Sequence, residues 1–279
     1  MKNLLTFIIL CAFVITSKGQ APLDTFLVKT SFKHRLVDYK FSPDKVALKQ
    51  ETLNKQKQII REIAYDTVSG DLLYIENFFY EKNRLVLTEQ NNLEDELISY
   101  TNYTYNDNKI TLIESFTPGD KSPFKRTKIS YKGDNILTKQ YEDGKLTQKK
   151  TEYYVNDQIT KINIIYKSHE KLKETTELFN YDDNNRLQQT ELIITKKSGE
   201  SSTTFREYSY ENNNSSNPKF ITTLGKDKSF IQKELHIYYT NGLLKSKTTL
   251  DDKNNYINHY SYELTTKPLY QQDIIPKTK

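Results

Sequence analysis

The chain contains no tryptophan, one cysteine and one methionine, and only eight glycines and seven prolines in 279 residues. The single Cys11 lies inside an apolar run from Leu4 to Ile15 that follows Lys2 and leads into Ser17 and Gly19. That pattern predicts a secretory signal peptide over residues 1–19, too short for a comfortable membrane span. Cys11 would leave with it. What remains has no disulfide and no thiol nucleophile, so packing and hydrogen bonds alone must hold the fold. No other run approaches the length of a spanning helix, and no transmembrane helix is expected after signal removal.

An excess of one charge is lacking too. The net charge of +5 falls to +3 without Lys2 and Lys18, and basic residues are interspersed with acidic ones, as in EKLKETTE (170–177). This is a solvated surface rather than the basic stripe of a nucleic-acid binder. The chain has no G-x-S-x-G, H-E-x-x-H, P-loop or glycine-rich dinucleotide turn, so neither a catalytic residue nor a cofactor is expected. His34, His169, His236 and His259 have no metal-ligand spacing, although folding could bring two of them together. Asp182-Asp183 and Asp251-Asp252 lack the pattern of a calcium loop and read as turn formers. A pair of carboxylates brought together in space would escape any such reading.

Tyrosine is what the chain has in abundance, with 21 copies against a mean hydropathy of −0.77. A short motif recurs: YEKNRL (80–85), YNDNKI (105–110), YKGDNI (131–136), YEDGKL (141–146), YVNDQI (154–159) and YTNGLL (239–244). Each sets an aromatic five residues before Leu or Ile, with turn-forming residues between them. Two-residue hairpin turns need positive φ at both central positions, which Asn, Asp and Gly tolerate best. Asn241-Gly242 and Asp143-Gly144 are then the strongest turns and Lys82-Asn83 the weakest. The ring and its aliphatic mate should face each other across the hairpin and lock its register. One such pair contributes about 0.2–1 kcal/mol, less than the ordering cost of its own backbone, so neighbouring hairpins must stack beside it.

Longer variants occur at YDTVSGDL (65–72), YDDNNRL (181–187) and FSPDKV (41–46), and polar breaks separate the units. Period-two alternation, as in Leu235-x-Ile237-x-Tyr239, excludes helical repeats. These signs predict an all-β antiparallel hairpin meander of about 15 strands, forming a curved sheet or an incomplete soluble barrel. The expected organisation is signal peptide 1–19, N-terminal segment 20–56, repeat meander 57–266 and polar tail 267–279. Ser42-Pro43 could also begin a helix; alternation of Val37, Tyr39 and Phe41 favours a hairpin.

YDDNNRL resembles the Y-D-x-x-G-R-L core of YD repeats, found in Rhs-type shell proteins and small secreted bacterial proteins, with Asn185 where glycine is usual. Tyr65-Asp66 echoes the same start. The chain is also similar to secreted domains from the Bacteroides group described as porin-like in shape. The resemblance implies a wrapping sheet, though a full shell needs a far longer chain.

Residues in step with the register tyrosines are mostly Tyr, Ile and Leu, and those out of step are mostly Lys, Glu, Thr and Ser. Phe79, Tyr100, Tyr153, Tyr166, His236 and Tyr238 are aromatic but out of step. Tyr100, Tyr153, Tyr166, His236 and Tyr238 form the candidate ligand platform, a strip for stacking a glycan or a peptide, unless bulges restore parity. The expected protein is a secreted, periplasmic or cell-envelope bacterial protein that acts by binding or as a structural element. The alternatives are a hydrolase with a hidden site or an outer-membrane β-barrel. Against the barrel, KLTQKKTE (145–152) sets Lys149 and Glu152 on opposite sides of one strand, so either face would bring charge into lipid.

Overall fold

The computed structural model describes residues 24–37, 40–212 and 215–269; the predicted signal peptide and residues 270–279 lie outside them. The first nine strands are β1 (Asp24–Val37), β2 (Lys40–Leu53), β3 (Ile59–Tyr65), β4 (Leu72–Glu81), β5 (Arg84–Asn91), β6 (Leu97–Asn106), β7 (Lys109–Phe116), β8 (Lys125–Lys132) and β9 (Asn135–Glu142). They continue as β10 (Lys145–Val155), β11 (Gln158–Tyr166), β12 (Leu172–Tyr181), β13 (Leu187–Lys196), β14 (Ser201–Ser209), β15 (Phe220–Leu224), β16 (Phe230–Tyr238), β17 (Leu244–Leu250) and β18 (Tyr256–Leu269). Every strand pairs antiparallel with its sequence neighbours, and β1 pairs with β18.

The meander therefore closes into an 18-stranded barrel, which corrects two expectations. The strand number exceeds 15 because the tyrosine spacing registers only the central hairpins. Residues 24–53 form the two long strands β1 and β2, and FSPDKV (41–46), read as a longer turn, lies instead within the continuous strand β2. The sheet is complete rather than open because β1 and β18 pair along Asp24↔Leu269 through His34↔His259. β1, β2 and β18 are the longest strands, at 14 residues each, so the seam has more ladder bonds than any ordinary hairpin. No helix forms at Ser42-Pro43, which lies inside β2.

At the tight turns the register is as the motif predicts: Tyr80↔Leu85, Tyr105↔Ile110, Tyr131↔Ile136, Tyr141↔Leu146 and Tyr154↔Ile159. Even Lys82-Asn83 adopts the mirror-image turn, with φ of 48° and 65°. YTNGLL differs: Leu244 pairs with Tyr238, and Tyr239 enters the turn, donating its N–H to Leu243 O at 2.8 Å. The same four-residue geometry joins Asp182 to Arg186 at 2.8 Å. Asn185 (φ 58°) and Gly242 (φ 81°) occupy equivalent left-handed positions.

A second interaction links one hairpin to the next. Tyr105 donates its hydroxyl to Leu85 O (2.9 Å), Tyr131 to Ile110 O (3.0 Å), Tyr181 to Ile159 O (2.9 Å) and Tyr210 to Leu187 O (2.9 Å). Each acceptor is the aliphatic mate of the preceding tyrosine. The tyrosine hydroxyls are thus latches, and they run round one rim of the barrel. Bulges beside the ring, as between Phe79 and Tyr80 or Thr104 and Tyr105, add the local twist that lets a sheet coil on itself.

Following the pairings round the ring separates two faces. One contains Tyr74, Glu76, Phe78 and Tyr80 of β4, then Tyr103 and Tyr105 of β6, Ile129 and Tyr131 of β8, and Ile162 and Ile164 of β11. Ser31, Glu51, Ala64, Thr88, Thr127, Thr190 and Thr249 are buried on this face, whereas the exposed Leu73, Leu97, Tyr153, Phe230, Ile237 and Tyr256 belong to the other; beside the seam, Val28, Thr52 and Thr248 of that other face are buried as well. Curvature crowds side chains on the concave side, so the tyrosine face is the inner one. Among the described residues only Val28 and Ala64 are buried hydrophobics. In general a ring of this strand number is too wide for its side chains to fill.

Candidate functional site

The inner wall has two polar clusters on either side of the seam. In the first, consecutive strands β1 to β4 align Lys29, Glu51, Glu62 and Glu76 in register. Lys29 lies 3.2 Å from Glu51, and Lys49 reaches both Glu51 (2.8 Å) and Glu62 (3.0 Å). Burial raises the cost of charging Glu51, but the bonds from Lys49 and Lys29 outweigh it and leave the carboxyl below its ordinary range. Burial likewise opposes the Lys49 charge, and its two glutamate bonds still raise its pKa. Glu76 differs: burial, with the Glu62 charge adding to it, pushes its carboxyl up against a bond from Thr88. Tyr74 and Tyr103 flank this row, each with its pKa raised, first by burial.

The second cluster is on β16 and β17. His236 Nε2 lies 3.0 Å from Glu234, and its Nδ1 lies 3.2 Å from the Tyr238 hydroxyl, which itself donates to Pro218 O at 3.0 Å. His236 thus links Glu234 to Tyr238 across the inner face of β16. Lys247 stands 3.5 Å from Glu234. The His236 bond, ahead of the Lys247 charge, holds the Glu234 carboxyl low despite its burial.

The predicted strip is divided between the faces. His236 and Tyr238 are brought together, but on the inner face: Tyr239 enters the turn and Tyr238 is the mate of Leu244, so Glu234, His236 and Tyr238 share one side of β16. Tyr166 is also inner, opposite Gln148 and edge-on to His169 at 5.6 Å. Tyr100 and Tyr153 are outer. Tyr100 stacks on Phe116 (5.1 Å, 11°), and Tyr153 lies four strands away under Lys161, 5.6 Å from its ring centroid. Counting by twos missed the Glu51, Glu62 and Glu76 row because its three members come from three different strands. Only pairing register brings them together.

Folding does bring two histidines together. His34 and His259 face each other across the seam with ring centroids 4.8 Å apart; His34 Nε2 bonds Ser261 Oγ and His259 Nδ1 bonds Thr248 Oγ1, both at 2.8 Å. Among the described residues no three His, Cys, Asp or Glu side chains are gathered for a metal ion. Burial, then His34, lowers the His259 pKa. The neutral form is therefore favoured on folding. Its contribution to stability is present above the unfolded pKa, about 6.5, and is lost as pH falls through the depressed value. Melting temperature is expected to drop between about pH 7 and 5, and His259→Gln to flatten that slope; an unchanged slope would contradict the assignment.

No family model matches the chain, and no curated protein is significantly similar to it. Among solved structures it is similar to a porin-like protein from Bacteroides uniformis (13% identity, 88% of this chain and 99% of that one, TM-score 0.42). It is also similar to a porin-like protein from Bacteroides vulgatus (12%, 86% and 98%, TM-score 0.36). A LolA superfamily protein from Nitrosomonas europaea is more distant still (11%, 93% and 92%, TM-score 0.26). At these levels the likeness extends to a β-rich architecture and carries no functional argument.

Proposed function

We propose that this is a non-catalytic binding protein of the bacterial cell envelope, whose open, tyrosine-lined interior holds a glycan segment. The observation that carries this reading is a closed ring whose inner aromatic and carboxylate side chains are only half-buried. A tyrosine wall offers flat faces for sugar rings, and the glutamate and lysine row offers directional hydrogen bonds to hydroxyls. The export signal read from residues 1–19 supports an envelope location.

Glycan-array binding by the wild-type protein, lost on combined Tyr74→Ala and Tyr103→Ala replacement, is the expected result. Retention of every bound glycan by that variant would refute an interior site.

Ring closure favours a second reading, an outer-membrane barrel. A spanning barrel needs an outward apolar band, and a lysine at its midplane costs about 2–4 kcal/mol. Here the outer face carries Lys128, Lys139 and Lys149 at mid-strand, while the inner face carries Glu76, Lys150, Glu177 and Glu234. Carbonate extraction decides between the two: release into the soluble fraction supports the binding protein, and retention in the membrane supports the spanning barrel.

A further inference from the structure

Lys139, at the centre of β9, has a lysine directly opposite it on each side: Lys128 on β8 and Lys149 on β10. The row is bounded by Leu112 on β7 and Ile165 on β11. Directly opposed residues of an antiparallel pair have Cα atoms about 4.5–5.5 Å apart, and like charges so placed destabilise the sheet. The nearby carboxylates do not neutralise the row. Glu114 is taken by Arg126 at 2.7 Å, and Glu174 accepts a bond from Asn163. Folding alone gives no reason for this arrangement, since a threonine or glutamate at residue 139 would stabilise the same strands.

An external polyanion does give a reason. The three lysines follow one another at the strand spacing of the backbone, about 4.8 Å, and so suit a linear chain that crosses the strands with a charge on each repeat. Aromatic rings flank the row on both sides. Tyr141 lies beneath Lys128, 5.7 Å from ring centroid to ammonium, and Tyr153 lies beneath Lys161 at 5.6 Å. Toward the second rim, residues 120–124 line a cleft of about 800 Å³ with Arg126, Lys128 and Tyr141; Asp120 and Asp143 at its edge direct an acidic chain along the lysine row rather than into the cleft. Ring faces beside evenly spaced cations fit sugars that carry carboxylates or sulfates. We propose that the Lys128, Lys139 and Lys149 row on the outer face binds a linear acidic polysaccharide. This surface is separate from the inner wall and does not depend on the reading of the interior.

The test uses the full secreted chain and polygalacturonate, with neutral dextran, a single-stranded DNA oligonucleotide and phosphatidylglycerol vesicles as the other arms. Polygalacturonate is expected to bind, dextran not to bind, and affinity to fall about tenfold or more as salt screens the row. Lys139→Gln is expected to weaken binding about tenfold while raising the melting temperature, because one change removes a contact and two repulsions. Lys139→Arg is expected to retain binding, and Lys149→Gln to behave like Lys139→Gln. Tyr74→Ala with Tyr103→Ala is expected to leave polygalacturonate binding intact, which separates this site from the interior. Undiminished binding by both glutamine variants, or tighter binding of the DNA or the vesicles than of polygalacturonate, would overturn the assignment.

Discussion

Val28→Asp is expected to destroy the closed barrel. Val28 is 2% exposed and sits between Thr52 on β2 and Thr265 on β18, at the strand that completes the ring. A carboxylate there would have no cation opposite it, and burying an unpaired polar or charged group costs several kcal/mol. Domain stability is only about 5–15 kcal/mol in total, and a loss above about 4 kcal/mol in one substitution is exceptional. Val28→Ala, which removes two methyl groups without adding charge, is expected to cost about 2 kcal/mol. Urea denaturation followed by circular dichroism measures both. A Val28→Asp protein with the wild-type midpoint would show that β1 does not close the sheet.

Tyr105→Ala is expected to cost about 3 kcal/mol, and Tyr105→Phe about 1 kcal/mol. The difference separates two roles of one side chain. The ring packs opposite Ile110 and under Arg84, whose guanidinium lies 5.7 Å from its centroid, while the hydroxyl donates to Leu85 O at 2.9 Å. Phenylalanine keeps the first role and loses the second. Combining Tyr105→Phe with Tyr131→Phe removes two consecutive latches, and because Tyr131 bonds the carbonyl of Ile110, the mate of Tyr105, the two losses are expected to couple. Equal stability of the phenylalanine variants and wild type would reduce the hydroxyl bonds to bystanders.

Parity accounts for most of what could and could not be read in the residues. Tyr80 with Leu85 and Tyr131 with Ile136 were legible because turn chemistry and pairing operate over six residues. Tyr238 was misassigned because its turn begins one residue earlier than the six-residue motif implies: Tyr239 enters the turn and Tyr238 becomes the mate of Leu244, so a count by twos from Tyr239 puts the strand on the wrong face. His236 moved with it, from an outer strip to an inner cluster. Tyr153 remained where alternation put it, because in its hairpin Tyr154 is the mate of Ile159 as the motif implies.

The amino-acid order alone determined that this chain is a meander of antiparallel hairpins with tyrosine opposite an aliphatic residue, because turn conformation and period-two alternation are local properties. Tertiary structure decided the rest. It joined Asp24 to Leu269, drew the Glu51, Glu62 and Glu76 row from three strands, and set three lysines abreast. All of these depend on which strands become neighbours and in what register, and pairing between distant segments is governed by the closure of the whole ring.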